Sequence, residues 1–156
     1  MTTAVNDGVA VGRSLRRVRG LMWSLLGLLA VEFALGMGAN LFVVLSLPTG
    51  YPGVMGVIAS SPLLSAHAFL AFLLLILSVM LSVSTGSPLP ARARGLSILL
   101  AVTLLATIFF GYSFVESQSD ALSYGMAMGF ITALLLVVVL LQTAYQQNRA
   151  LAMPGT

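Results

Sequence analysis

The stretch LSILLAVTLLATIFFGYSFVESQSDALSYGMAMGFITALLLVVVLLQTA, Leu96 to Ala144, decides the fold: two long apolar runs separated by the short polar link ESQSD. Each run has about 20 residues or more, enough at a rise of about 1.5 Å per residue to cross a hydrocarbon core of roughly 30 Å. A link as short as Glu116–Asp120 leaves the two runs only one arrangement, an antiparallel helical hairpin.

Two further runs of the same kind precede it. Leu21 to Ser46 is one and Pro62 to Ser84 the other, so the expected spans are 21–46, 62–84, 96–115 and 121–144. Proline and glycine mark their ends, in LPTGYPGVMG after the first and STGSPLP after the second. Pro62 falls where a helix accepts proline, in its first turn, with Ser60 or Ser61 available as the N-cap. Composition agrees. The chain is 59% hydrophobic and only 7% charged, and its mean hydropathy is +1.06, whereas charged residues make up about a quarter of a soluble domain. The expectation is an all-α integral membrane protein, an antiparallel four-helix bundle over 20–145 between a basic tail (1–19) and a second tail (146–156).

The basic start, GRSLRRVRG, fits the n-region of a signal peptide, but the apolar run behind it is too long for an h-region and lacks a small-x-small cleavage site. It reads as a retained helix. All seven basic residues are arginines. Arg13, Arg16, Arg17 and Arg19 precede the first span, Arg92 and Arg94 lie between the second and third, and Arg149 follows the fourth. A four-pass chain puts all of them on one side, the cytoplasmic side by the positive-inside rule, with Glu116 and Asp120 opposite. Both termini are then expected in the cytoplasm of a prokaryotic cell, with the lipid bilayer as the first partner.

Counting depth along these spans places Glu32 near the midplane. Asn40 and His67 come closer to the outer surface, at a level that Met126 and Met128 also approach. Glu32, Gly36 and Asn40 share an arc of about 80° on the first helix. His67, Ala71, Ser78 and Ser82 share a narrow face of the second. In the fourth, Gly125, Gly129 and Ala133 recur every four residues, a spacing that lets two backbones approach closely. Small and polar residues gathered on one face mark the side turned toward other helices.

Two residues carry whatever chemistry the chain has. Burial of a lone carboxylate favours its neutral form, and Ser78, Thr103 and Thr132 lie at matching depth to share hydrogen bonds with Glu32. It reads either as an interhelical tie or as a proton carrier. His67, the only histidine, reads either as a hydrogen-bonded structural residue, with Asn40 or a tyrosine as partner, or as an axial ligand of b-type haem with Met126 or Met128 opposite.

The stretches LGMGANLFVVLSLPTGYPG, SAHAFLAF and SYGMAMGF resemble a group of small four-helix prokaryotic membrane proteins. These share a Gly-rich first helix with an Asn near its outer end, a Pro-Gly outer loop, one His early in the second helix and a small-residue fourth helix. More remotely the layout is similar to one half of a haem A synthase, whose halves carry paired histidines where this chain has one. That likeness implies haem near the outer surface.

Other chemistries are excluded. Without cysteine there are no disulfides, thiolate metal sites or cysteine nucleophiles. No phosphate-binding loop, no carboxylate pair on one helix face, no metal-ligand spacing and no basic stripe for nucleic acid occurs. The expected role is non-enzymatic: an accessory subunit of a larger membrane complex, or a homo-oligomer built by self-association. A haem or redox-lipid site around His67 is the alternative, and a proton-coupled path through Glu32 the third reading.

Overall fold

The computed structural model describes residues 2–43, 53–85 and 89–152, with side chains from residue 12 to 150. Among the described residues there are five helices and no strand: α1 Thr2–Phe42, α2 Gly53–Ser60, α3 Pro62–Ser84, α4 Ala91–Ser117 and α5 Asp120–Ala152. Four of them are long and apolar enough to cross a membrane. The chain is a multi-pass helical membrane protein.

The core is written at alternating spacings of three and four. On α1, Leu15, Val18, Met22, Leu25 and Leu29 are all at most 2% exposed. On α3 the buried stripe is Leu70, Leu74, Ser78 and Leu81, on α4 Ala93, Ser97, Leu100 and Leu104, and on α5 Ala133, Val137, Leu140 and Ala144. Spacings of three and four stay close to the 3.6-residue turn of the helix, so one face of each stays turned toward its neighbours. Large apolar side chains on the outer faces, Phe69, Val83, Leu105 and Phe109 among them, stay exposed on the protein.

The helices form a ring in which α1 lies between α3 and α5, and α4 closes the other side between the same two. Every adjacent pair of long helices whose register can be read is antiparallel. Gly38 lies against Leu63 and Gly36 against His67. Phe33 stacks on Phe130 with centroids 5.3 Å apart, while Arg19 lies over Tyr145. On the last seam Thr107 meets Gly129 and Phe110 meets Gly125. The α4–α5 hairpin turns through Gln118, whose left-handed backbone (φ 51°) caps α4.

Three boundaries differ from the sequence reading. The basic segment before residue 20 is not a separate tail: it is part of α1, and Leu15 and Val18 pack into the core. Likewise α5 continues through the expected tail to Ala152, and α4 begins five residues early at Ala91. On α1 and α4 the added turns still bury one face, through Leu15, Val18 and Ala93, whereas residues 145–150 of α5 are exposed apart from the half-buried Gln147. A fourth difference is α2, whose Val54 and Val57 pack with Val115 at the end of α4, where the sequence suggested only loop. The segment 44–52, with the end of the expected first span and most of the Pro-Gly loop, lies outside the described residues. Ser61 does cap α3, accepting a hydrogen bond from Leu64 N at 3.4 Å, with Pro62 in the first turn.

Polar side chains inside the bundle are largely satisfied by their own helices. Ser78 Oγ donates to Leu75 O at 2.7 Å, Thr107 Oγ1 to Thr103 O at 2.8 Å, and Thr143 Oγ1 to Val139 O at 2.9 Å. One hydroxyl pair bridges two helices. Thr85 Oγ1 and Ser97 Oγ are 3.1 Å apart, both fully buried, and pin the end of α3 to the start of α4.

Candidate functional site: a carboxylate and an imidazole on the α1–α3 seam

The apolar stripe of α1 runs 15, 18, 22, 25, 29, and its next member is residue 32. That position holds Glu32, 7% exposed. On α3 the stripe read backwards from Leu74 and Leu70 reaches His67. Both ionisable residues therefore occupy core positions of facing seams, one step beyond the last apolar pair. The antiparallel register brings them together: His67 Nδ1 lies 3.0 Å from Glu32 Oε1.

The contact is electrostatic more than directional. Nδ1 is enclosed by protein yet lacks a well-aligned hydrogen bond, and Oε2 of Glu32 is buried without a partner. Nearly all of the Glu32 side chain is covered, while 30% of the His67 side chain remains exposed. The ring lies along Gly36, with Cε1, Nδ1 and Nε2 all within 4 Å of where a Cβ on that residue would stand.

Gly36 makes room for this arrangement. A Cβ at residue 36 would stand 3.1 Å from His67 Cε1, a tight contact that the imidazole would have to relieve by shifting slightly, and 3.6 Å from Nδ1, an ordinary one. Glycine there admits the imidazole to within reach of the carboxylate one helical turn away. The turn spacing of Glu32 and Gly36 was legible in the sequence, and its partner was not.

The expected partners of Glu32 do not approach it. Ser78, Thr103 and Thr132 are each bonded to a carbonyl of their own helix. Depth along an apolar run takes no account of stagger between helices: α3 begins opposite Gly38, so His67 lies only a few ångströms from the level of Glu32. Asn40, expected as a second buried polar residue, is exposed. Two turns beyond Glu32 an α-helix has rotated by about 80°, which carries residue 40 off the seam.

Nor does the structure assemble His67 with the methionines. Met126 has its sulfur against Gly111 of α4. Met128, 44% exposed, lines an open groove of about 410 Å³ between α4 and α5. Helix α5 stands diagonally across the ring from α3. His67 thus lies on the α1–α3 seam and the two methionines on the α4–α5 side, and the structure does not bring them together.

The small residues of α5 have found their neighbour within the chain. A Cβ on Gly129 would overlap Thr107 Oγ1, one on Gly125 would lie 3.1 Å from the Phe110 ring, and Ala133 is fully buried. The stripe is the α4–α5 contact.

Compared with known protein families, curated proteins and solved structures, the chain matches none.

Proposed function

We propose that the chain is a non-enzymatic protein of a prokaryotic cytoplasmic membrane, with both termini inside, whose working element is the Glu32–His67 pair holding one proton between α1 and α3. As an accessory subunit or a self-associated bundle it would use that pair to sense or pass a proton in the outer half of the membrane. One observation carries this reading. In a core whose other seam positions are apolar or hydroxyl-bearing, a buried carboxylate and the chain's only imidazole stand 3.0 Å apart.

Charge counting gives the pair its chemistry. With one proton it is net neutral, whether written as carboxylate and imidazolium or as acid and neutral imidazole. Loss of that proton leaves a lone carboxylate in a medium of low polarity, and gain of a second leaves a lone imidazolium. Either unpaired charge is costly inside a membrane, so a change in proton count favours separation of the seam or entry of water.

The test uses the single histidine. Selective ¹⁵N labelling gives one imidazole to observe, and its two nitrogen resonances should move together with pH in the reconstituted protein. Glu32→Gln should displace both ring resonances, the Nδ1 resonance most, because Nδ1 is the atom 3.0 Å from the carboxylate. An unchanged His67 spectrum in Glu32→Gln would overturn the pairing as a functional unit. A second reading rests on the 30% of the His67 side chain left exposed, through which the ring would hydrogen-bond the carbonyl of a redox lipid; it requires that adding a quinone shift a His67 ring resonance.

A further inference from the structure

We propose that the arginine-bearing end of the α1–α5 seam is a binding site for the phosphate of an anionic glycerophospholipid. The inference is independent of the Glu32–His67 reading. Its residues are Arg16, Arg19 and Trp23 on α1 with Tyr145 and Arg149 on α5.

Helical geometry brings them to one place. Arg16, Arg19 and Trp23 follow one another at spacings of three and four, within an arc of about 60° on α1. Tyr145 and Arg149 are one turn apart on α5. The register of this seam is fixed at both ends, by Phe33 on Phe130 and by Arg19 over Tyr145. The same antiparallel offset sets Arg149 level with the turn of α1 that carries Arg16.

The centre of the cluster is held rigidly. The Arg19 guanidinium carbon is 4.2 Å from the Tyr145 ring centroid, a cation–π distance. Arg19 and Trp23 both approach the Tyr145 hydroxyl. Arg19 Nε is enclosed by the seam and has no partner, so the Nη groups are the donors left to an external ligand. Trp23 is 52% exposed and Tyr145 40% exposed, the amphipathic rings that favour the head-group level of a bilayer.

Charge supplies the occupant. Among the described residues no carboxylate pairs with Arg16, Arg19 or Arg149; the one ion pair is that of His67 with Glu32. An arginine fixed over an aromatic ring, flanked by two more from neighbouring turns, needs an anion with oxygens in a plane that guanidinium can fork. A phosphodiester at the bilayer surface meets that need, with its acyl chains along the exposed apolar faces of α1 and α5, where Val31, Phe33 and Val138 are uncovered. A lipid is favoured over a soluble anion because the exposed faces below the cluster are continuous with the lipid-covered belt.

Trp23 is the only tryptophan in the chain, so its fluorescence reports this site alone. The full-length protein would be reconstituted in phosphatidylcholine vesicles containing phosphatidylglycerol, with either one lipid or the other brominated near the carbonyl end of its chains. Brominated phosphatidylglycerol should quench Trp23 well beyond its share of the bilayer. Arg19→Gln should reduce that preference about five-fold, the loss expected from one arginine at a membrane surface. Arg149→Gln, outside the packed core, should lower it without disturbing the fold. Arg92→Gln, in the connection between α3 and α4, should leave it unchanged. Equal quenching per mole by the two lipids in the wild type would overturn the site. So would an equal loss in Arg92→Gln, which would show a diffuse charge effect. Abolition of the preference by inorganic phosphate would assign the site to free phosphate and refute the lipid.

Discussion

Gly129→Ala is the smallest change that tests how closely α4 and α5 approach. The new Cβ would overlap Thr107 Oγ1 and stand 3.2 Å from Thr107 Cβ and 3.5 Å from Cγ2. Thr107 has little freedom to yield, because its hydroxyl is bonded to Thr103 O at 2.8 Å. Rotating it away gives up a hydrogen bond worth about 0.5–1.5 kcal/mol. Keeping it forces the helices apart, at about 1–3 kcal/mol for overpacking of this size. Alanine gains up to about 1 kcal/mol over glycine in helix propensity, and that gain would conceal part of the cost. Gly27→Ala removes the difficulty, since it has the same propensity gain and meets nothing within 4 Å. Gly129→Ala should therefore unfold about 1–3 kcal/mol more easily than Gly27→Ala in mixed micelles titrated with dodecyl sulfate and followed by circular dichroism. Adding Thr107→Ala removes the two outer atoms of the conflict, so the double variant should recover more than half of the loss, a coupling expected only of residues in contact. If Gly129→Ala and Gly27→Ala are equally stable, the α4–α5 packing described above is wrong.

Further tests follow from the other seams. Gly36→Ala should displace His67 from Glu32, so the ¹⁵N spectrum of His67 in that variant should approach the spectrum seen in Glu32→Gln; a wild-type spectrum would refute the role given to Gly36. Reporter fusions between α3 and α4 and after Arg149 should signal the cytoplasm and one at Gly53 the outside, and the reverse at any position would break the proposed orientation. Replacing both members of the pair, Glu32→Leu with His67→Leu, should give a bundle at least as stable as the wild type, whereas His67→Leu alone should lose up to about 3 kcal/mol because the buried carboxylate is stranded.

Much of the fold was legible because bilayer thickness and hydrogen-bonding need act on composition alone. Apolar length gave four spans, ESQSD gave the α4–α5 hairpin, and Pro62 after Ser61 gave the start of α3 to the residue. The α2 helix was not legible, since eight residues of mixed small and apolar character have no period of their own and are helical because Val54 and Val57 find Val115. Within the site, Glu32, Gly36 and His67 were each identifiable as unusual, but their meeting was not. Depth counted from apolar length ignores the stagger between helices, and that stagger sets the register of α1 against α3. A better signal was present in the chain. Extending the three-and-four stripe of α1 past Leu29 lands on Glu32, and extending that of α3 back past Leu70 lands on His67. Two ionisable residues on facing seams, each at the outer limit of an apolar stripe, are the mark of a pair.

Position on the stripe also bears on whether the pair is there for stability. A buried ion pair gains Coulomb energy but loses hydration at both ends, and well-packed apolar residues of similar size often do as well or better. Seam packing on α1 and α3 is already complete from Leu15 to Leu29 and from Leu70 to Leu81, so one more leucine pair would extend a working pattern. The pair in place of those leucines leaves Oε2 of Glu32 without a partner, which is costly in a core. It also packs against glycine at residue 36, a helix-weakening residue next to the seam. Each of these features lowers stability, and together they produce the one thing leucine cannot supply, a site inside the membrane whose net charge changes with a single proton. If the doubly apolar variant folds and the proton response of the seam is lost with it, the pair is maintained for that response. If instead the doubly apolar variant fails to fold, the pair is a structural tie, and the proposed function falls with it.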